Sequence, residues 1–377
     1  MKVAFPHMGN AYIPLRALVE TLGAEAVVPE RPNRVTLENG SRYAPEFVCL
    51  PFKITLGDCI NALEKGADTL AMVCGMWACR FGYYARVQHL ILRDLGYEFD
   101  SLLVGREDPR VIWEMFRPVV GRGAGAARKV AGALAMLRVK AGAVEELECL
   151  ARKVRPRERA AGSTDALMDS YLGKLDEASS LCRVRELRKE MREALQSLPL
   201  REENGLIRVR IVGELYVLLE PSLNFDLVKR LGGYFGVEAQ PVLSTYRWLL
   251  SPLWLDPLLH LSSSRARRLT RSYLPYALGG EEHMTITGTL DAFKDGYDGV
   301  IHAYPLTCMP ENICRTILPH ISSRMDLPLL NLCFDEHTST VGTITRLEAF
   351  LDMLRSRREL ANRATGAGKA TGGREAF

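Results

Sequence analysis

The sequence predicts an α/β protein of two lobes joined by a helical insertion, and three observations support this. The first hundred residues alternate short apolar runs with stretches of helical spacing. Strand signals vanish between about residues 108 and 200, and the alternation resumes at residue 207. We therefore expect an N-terminal α/β lobe over 1–105, a helical insertion over 106–204, a C-terminal α/β lobe over 205–360 and a flexible tail over 361–377.

Apolar runs and helical spacing place the elements of the first lobe. The pattern predicts strands over residues 2–5, 26–28, 47–50 and 68–73. It predicts helices over residues 12–22, 55–65 and 83–95. A glycine at or just after the end of each helix supplies a natural stop. The apolar stretch near residues 68–73 is continuous, which is typical of a buried parallel strand.

The second lobe shows the same alternation. We predict strands over residues 207–212, 298–303 and 329–334, and helices over 224–231, 311–321 and 345–360. A further helical stretch ends near residue 278. The α/β pattern on both sides of the insertion indicates parallel sheets.

Composition and charge exclude several classes of protein. Of the 377 residues, 47% are hydrophobic and 25% charged, as in an ordinary soluble domain. The net charge of +4 is too balanced to indicate nucleic-acid binding. No apolar run approaches the roughly 18 residues that a membrane span needs. Pro6, His7 and Asn10 interrupt the N-terminal apolar stretch, so we expect no signal peptide and a cytoplasmic protein.

The helical insertion carries a local excess of positive charge. Residues 106–159 hold 13 basic and 7 acidic side chains. This pattern is typical of a solvated helix face, and it also fits a docking surface for an acidic partner. Arg152, Lys153, Arg155 and Arg157 would contribute most to such a surface.

The nine cysteines are the most informative residues. In a reducing cytosol they do not indicate a disulfide framework, and no C-x-x-C pair marks a familiar zinc or thioredoxin site. Cys49, Cys79 and Cys308 lie in predicted loops at strand ends, where open parallel sheets bind ligands. Cys79 and Cys308 also precede helices, whose N-termini stabilise thiolates. We therefore single out these loops for a metal or cluster.

The other cysteines are less suggestive. Cys74 follows a predicted strand, Cys314 lies inside a helix and Cys333 lies on a strand. They are candidates for extra ligands, and they also fit the packed core. Cys59 has core spacing, and Cys149 and Cys182 fall in the helical insertion.

Acidic and histidine side chains gather near the same loops. His302 lies in the strand that leads to Cys308, Glu311 follows Cys308, and His337 follows the last strand. A carboxylate and an imidazole at strand ends suit acid–base catalysis. The alternative is helix capping and hydrogen bonding around the site.

Several segments together resemble the superfamily of 2-hydroxyacyl-CoA dehydratases and benzoyl-CoA reductases. The resemblance is strongest to the stand-alone CoA protein activases, which are named after the dehydratase activator. It covers both lobes but not the insertion. The segments are residues 49–53 (Cys-Leu-Pro-Phe-Lys), 78–84 (Ala-Cys-Arg-Phe-Gly-Tyr-Tyr), 299–302 (Gly-Val-Ile-His), 308–311 (Cys-Met-Pro-Glu), 335–338 (Asp-Glu-His-Thr) and 345–350 (Thr-Arg-Leu-Glu-Ala-Phe).

The resemblance implies two Rossmann-like lobes with a [4Fe-4S] cluster between them. By motif, the three ligands map to Cys49, Cys79 and Cys308, and one iron stays open. Arg80 and His302 would tune the cluster. Cys74 departs from the small or apolar residue expected there, so a double-cubane cluster that also uses Cys74, Cys314 and Cys333 stays open.

The resemblance also implies a function. Members of the superfamily receive low-potential electrons from a separate ATP-hydrolysing activator and pass them to a bound acyl-CoA or other substrate. We expect this chain to be such an acceptor, either as a reductase or dehydratase component or as a non-catalytic cluster carrier or scaffold. We also expect a homodimer or a heterodimer. A structural zinc ion bound by the same thiolates is an alternative interpretation of the cysteines.

Overall fold

The computed structural model describes residues 1–75, 79–105, 117, 120–121, 124–201, 205–250 and 257–371. Its strands form two four-stranded sheets in which every neighbouring pair is parallel. The predicted α/β fold with two lobes is confirmed. The strands are β1 (Lys2–Ala4), β2 (Glu25–Val27), β3 (Thr69–Cys74), β4 (Asp100–Gly105), β5 (Arg208–Gly213), β6 (Glu238–Pro241), β7 (Gly299–Pro305) and β8 (Leu329–Phe334).

Helices connect the strands along the chain. The α-helices of the described residues are α1 (Tyr12–Leu22), α2 (Arg34–Tyr43), α3 (Leu50–Glu64), α4 (Tyr84–Asp94), α5 (Ala124–Val154), α6 (Ser163–Glu177), α7 (Leu181–Gln196), α8 (Leu215–Leu219), α9 (Leu227–Gly233), α10 (Thr245–Leu250), α11 (Pro257–Thr270), α12 (Glu282–Lys294), α13 (Met309–Met325) and α14 (Thr340–Thr371). None of them combines the length and the apolar character that crossing a lipid bilayer requires.

The two sheets have the same topology. The strand order is β2-β1-β3-β4 in the first lobe and β6-β5-β7-β8 in the second. In each lobe the order reverses beside the first strand, which leaves a crevice at the carboxyl ends of β1 and β3 and of β5 and β7. Such switch points are where open parallel sheets bind ligands. The loops that follow these four strands are therefore the first places to look for a site.

The predicted strand over residues 47–50 is wrong, because the chain there enters α3. Cys49 is the N-cap residue of this helix, and Pro51 occupies its first turn. Proline suits that position, since the first amides of a helix have no partner within it. The run is apolar because the helix is buried along nearly its whole length.

Two strands carry no clear sequence signal. β4 begins with the polar pair Asp100 and Ser101, and β6 is a four-residue edge strand that is mostly half-buried. At the end of the chain, α14 extends the helix predicted over 345–360 to Thr371. The helix therefore reaches into the segment predicted to be a flexible tail.

The described residues between 124 and 201 form helices and contain no named strand, as the sequence pattern of this region predicts. The long helix α5 packs against α1 of the first lobe and α10 of the second, and α6 and α7 pack against it. Ile13, Val144 and Leu187 are fully buried in one shared cluster. The helices of this region thus pack against both lobes. The predicted boundary at residue 106 lies outside the described residues.

Two of the four basic side chains predicted to form a docking face are internal, whereas Lys153 is exposed and Arg157 is half-buried. Arg155 is only 5% exposed, and its guanidinium pairs with Asp165 at 2.8 Å. Arg152 is 8% exposed and lies near Glu145 and Glu148. A side chain that is buried and paired cannot dock a partner, so these arginines are structural.

A buried ion pair joins the two lobes. Lys53, in the first turns of α3, contacts Glu336 in the loop after β8. The side chain of Lys53 is 6% exposed and that of Glu336 is 28% exposed. Burying a lysine is costly unless a carboxylate compensates its charge.

We expect Glu336→Gln to destabilise the protein by about 1–3 kcal/mol, because it leaves the charge of Lys53 buried without a counterion. Chemical denaturation measures the loss. Glu359→Gln is the matched control, since Glu359 forms an exposed pair with Arg363 on α14 and should change stability by less than about 0.5 kcal/mol. Equal effects of the two variants would contradict a role for the buried pair.

Candidate functional site

Three cysteines from separate loops hold the same structural position. Cys49, Cys79 and Cys308 are each the N-cap residue of a helical segment, with extended backbone angles. Cys49 precedes α3, Cys79 precedes a 3₁₀ turn over Arg80–Tyr83 that runs into α4, and Cys308 precedes α13. Each thiol therefore lies beside backbone amides that have no helical partner.

Local sequence explains why these cysteines cap helices. Cys79 and Cys308 follow β3 and β7, which are the strands beside the switch point of each sheet. Pro51 and Pro310 each stand two residues after a cysteine, where the missing amide costs the helix nothing. Two of the three loops thus lie at the carboxyl end of a parallel sheet, and all three lead into the N-terminus of a helical segment.

Arg80 ties the three loops together. Its guanidinium donates to the carbonyl of Phe47 at 2.9 Å and to the sulfur of Cys49 at 3.2 Å. It also donates to the carbonyl of Thr307, the residue before Cys308. The thiol of Cys49 donates to the same carbonyl at 3.3 Å. The first lobe therefore meets the second at the residues that flank the cysteines.

The electrostatic environment keeps two of the thiols protonated in the protein without metal. Burial raises the pKa of Cys79 to about 11; the nearby amide of Phe81 opposes this shift, and the carboxylate of Glu214 adds to it. Burial, with the charges of Glu214 and Glu311, raises the pKa of Cys308 further. The expected stabilisation of thiolate by the helix N-termini is present, but burial outweighs it.

Glu214 is a site residue that sequence reasoning missed. It follows β5 and caps α8, accepting from the amide of Val217 at 2.9 Å. Burial raises its pKa to about 7. Gly213 allows this placement, because its φ is +140° and a Cβ there would lie 1.9 Å from the carbonyl oxygen of Ala303. Functional residues of open parallel sheets often follow the carboxyl ends of strands. Glu214 follows the strand predicted over 207–212, so this rule would have found it.

Tyr84 lies among the same groups. Its side chain is buried at the start of α4 and packs edge-on against Phe52 and Phe81. Burial raises its pKa, and the charges of Cys49, Glu214 and Cys79 add to the shift. These electrostatic interactions connect the cysteines of the first lobe with Glu214 of the second.

His302 and Glu311 form a closed hydrogen-bonded pair beside Cys308. The Nε2 atom of His302 is 2.8 Å from Glu311, and its Nδ1 atom is 2.9 Å from Asn331. Thr285 donates to Glu311 at 3.1 Å. Both histidine nitrogens are engaged and the ring is fully buried, so the pair anchors the start of α13. This arrangement matches the hydrogen-bonding alternative for these two residues.

The remaining candidates take different positions. Cys74 ends β3 and is buried in the same apolar cluster as Cys49. Cys314 is fully buried in the core of the second lobe and donates to the carbonyl of Glu282 at 3.8 Å. Cys333 lies on β8 in register with Tyr304. His337 is exposed, and its amide closes a turn on Asp335.

The described residues, which include all nine cysteines, contain no disulfide. Nor do they contain three His, Cys, Asp or Glu side chains placed closely enough to hold a metal ion. The three N-cap cysteines are instead linked through Arg80, Thr307 and the shared influence of Glu214. The three cysteines are therefore grouped because their loops converge.

Comparisons with known proteins add no family to this picture. No protein-family model matches the chain, and no curated protein matches it. The resemblance drawn from the sequence therefore stays a prediction.

We expect Glu214→Gln to lower the pKa of Cys79 below about 11, because the substitution removes a negative charge that disfavours the thiolate. Glu214 titrates near pH 7, so its charge is present throughout the range in which the thiol ionises. The measurement is the pH dependence of Cys79 alkylation by iodoacetamide in metal-free protein, followed by mass spectrometry. Glu193→Gln, at an exposed position on α7, should leave the midpoint unchanged. An unchanged midpoint in Glu214→Gln would refute the assignment.

Proposed function

We propose that this chain is an iron–sulfur protein that accepts low-potential electrons from an ATP-hydrolysing activator. Cys49, Cys79 and Cys308 would hold a [4Fe-4S] cluster. The observation that carries the proposal is that three cysteines of two lobes cap three helical segments, and that Arg80, the residue after Cys79, bonds Cys49 and the residue before Cys308. The resemblance in the sequence selects the same three residues.

The donor set suits such a cluster. Cysteine thiolates are the usual ligands of iron–sulfur clusters, and hydrogen bonds to their sulfurs tune the reduction potential. Arg80 supplies such a bond to Cys49. Thiolates that share one zinc ion lie about 3.8 Å apart, given Zn–S bonds of about 2.3 Å. A cluster spreads its ligands over more space than a single ion does.

When bound, the cluster would supply one-electron chemistry. The protein's own residues have separate tasks around it. Cys79 and Cys308 must each lose a proton to become ligands, and their raised pKa values make cluster loading more favourable as the pH rises. Glu214, whose pKa is about 7, is placed to take up or release a proton in the same region. His302 and Glu311 hold the helix behind Cys308.

Exposed apolar side chains next to the cysteines support a protein partner. Phe47 is 78% exposed, Tyr83 51%, Leu306 49% and Met309 39%. Each lies within four residues of one of the three cysteines in the chain. Apolar groups concentrated around a buried polar site are typical of an interaction surface. This arrangement favours electron transfer from or to another protein, whether the chain is itself a catalyst or a carrier.

Metal analysis tests the proposal. We expect about four irons and four sulfides per chain after anaerobic purification, little zinc, and an EPR signal that appears on reduction. Zinc alone, or no metal after reconstitution with iron and sulfide, would overturn it. About eight irons would instead indicate a double-cubane cluster.

Single substitutions test the ligands. Cys79→Ser should lower the iron content by half or more, since serine is a poor cluster ligand. Cys182→Ser is the matched control, because Cys182 is exposed on α7 and should keep full iron. Cys314→Ser should also keep full iron unless a second cubane is present. Full iron with an unchanged spectrum in Cys79→Ser would refute that ligand.

A further inference from the structure

Two buried carboxyl groups lie at a contact between the lobes, away from the proposed cluster ligands. Asp58, in the middle of α3, is 1% exposed, and Glu220, directly after α8, is fully buried. Helix α3 belongs to the first lobe and α8 to the second. Asp58 stands nine residues after Cys49, which is about 13 Å along the helix axis. What happens at Asp58 is therefore independent of the proposed cluster.

The β1–α1 loop of the first lobe bonds directly to the α8 segment of the second. The hydroxyl of Tyr216 donates to the carbonyl of His7, and the Nδ1 atom of His7 lies 2.7 Å from Glu220. The amide of Gly9 donates to Glu220 at 2.7 Å. The backbones approach so closely that a Cβ on Gly9 would lie 2.2 Å from the carbonyl oxygen of Leu219. We call this region the loop–α8 contact.

Asp58 lies against this contact with fewer partners than a carboxylate needs. The amide of His7 donates to its Oδ2 atom at 3.0 Å. The hydroxyl of Tyr216 is also close, but its proton goes to the carbonyl of His7. The Oδ1 atom is buried and has no hydrogen-bond partner among the described residues. An ionised carboxylate offers about four acceptor sites, so a charged Asp58 would leave most of them unsatisfied.

Glu220 has the partners that Asp58 lacks. Besides His7 and Gly9, the amide and hydroxyl of Ser222 donate to it at 3.0 and 2.8 Å. Burial alone would raise its pKa, but His7 and the amides hold it below the ordinary value. Burial raises the pKa of Asp58 well above its ordinary value; the amide of His7 opposes this shift, and the charge of Glu220 adds to it. Glu220 therefore carries the charge and Asp58 the proton.

We propose that Asp58 is a pH-sensitive latch between the two lobes. As a neutral acid, it packs against the loop–α8 contact and the contact stays closed. As an anion, it lies beside the charge of Glu220 without a counterion, and the contact opens so that water can reach it. A cleft of about 480 Å³ is lined in part by His7, Gly9 and Glu220 and reaches the edge of this contact. Separation of the loop from α8 would join Asp58 to that cleft.

The direction of the pH effect follows from the two states of Asp58. Its pKa is near 3.9 when water hydrates it and higher in the closed contact. The closed state therefore has its full advantage below the lower pKa. Between the two values, the equilibrium constant for closing falls about tenfold with each pH unit. Above the higher pKa the loss is complete.

No positive charge nearby offsets this effect. The groups that shift the pKa of Asp58 include no lysine or arginine. Lys53, on the same helix, is paired across the lobes, and the charged side chains of α2, which packs along α3, are exposed. On α4, Tyr84 lies among the cysteines and His89 bonds to Ser101. The titratable groups that face Asp58 are His7, Cys59, Tyr216 and Glu220.

Hydrogen exchange of the full-length protein, followed by mass spectrometry, measures the opening. Between pH 5 and pH 9, we expect the protection of residues 7–11 and 215–222, corrected for the intrinsic rate, to fall. The fall should be about tenfold per pH unit wherever Asp58 is protonated only in the closed state. Helices α6 and α7 serve as the internal reference and should keep their protection. A total fall below about threefold, or an equal fall in α6 and α7, overturns the proposal.

A substitution assigns the effect to Asp58. Asp58→Asn keeps the shape of the neutral acid and cannot ionise, so protection of the same segments should change less than about threefold over this range. Asp94→Asn, at an exposed position on α4, should keep the wild-type dependence. The proposal is wrong if Asp58→Asn folds and shows the same fall as the wild type.

A measurement on the wild type does not rely on any variant. Carbon-13 NMR of protein labelled at the aspartate carboxyl groups follows each of them through its titration. One carboxyl should titrate apart from the rest, at a higher pH than the ordinary value near 3.9. Titration of every aspartate in the ordinary range would show that Asp58 is ionised in the closed contact, and the latch would then be excluded.

Discussion

The guanidinium of Arg80 is the interaction on which the arrangement of the cysteine loops depends. It leaves the first turn after Cys79, reaches back to the loop that precedes α3, and crosses to the carbonyl of Thr307 in the second lobe. A planar group with five donors can satisfy three acceptors at once, which a lysine cannot do with the same geometry. Without it, the carbonyls of Phe47 and Thr307 and the sulfur of Cys49 would each lack this donor.

Burial and helix N-termini act in opposite directions at these cysteines. A shift of the Cys79 pKa from 9.0 to about 11 corresponds to about 3 kcal/mol against the thiolate. A helix N-terminus contributes about 0.3–1 kcal/mol in its favour, so burial wins. The thiols are therefore stored in the protonated form. At Glu214, burial also outweighs the backbone hydrogen bonds and raises the pKa to about 7, so the carboxyl group is close to half ionised at neutral pH.

The two lobes place different chemistry at equivalent positions of one topology. After the first strand of each sheet stand His7 and Glu214, and after the third stand Cys79 and Cys308. The cysteines share the Arg80 network, whereas His7 turns to Glu220 and a separate cleft. The duplicated crevices thus hold two separate groups of polar side chains in one chain. The Lys53–Glu336 pair joins the two lobes, and the insertion helix α5 packs against helices of both.

By itself, the sequence determined the α/β class, the two lobes, the helical region between them and the two cysteines, Cys79 and Cys308, that precede helices. These follow from short-range patterns, since apolar periodicity and proline or glycine at element ends act within a few residues. Only the tertiary structure decided that residues 47–50 start a helix, that Arg152 and Arg155 are internal, and that Glu214 and Glu220 face residues of the first lobe. Those contacts join positions up to two hundred residues apart, and their burial and charge balance depend on which surfaces meet. No local pattern in the chain carries that information.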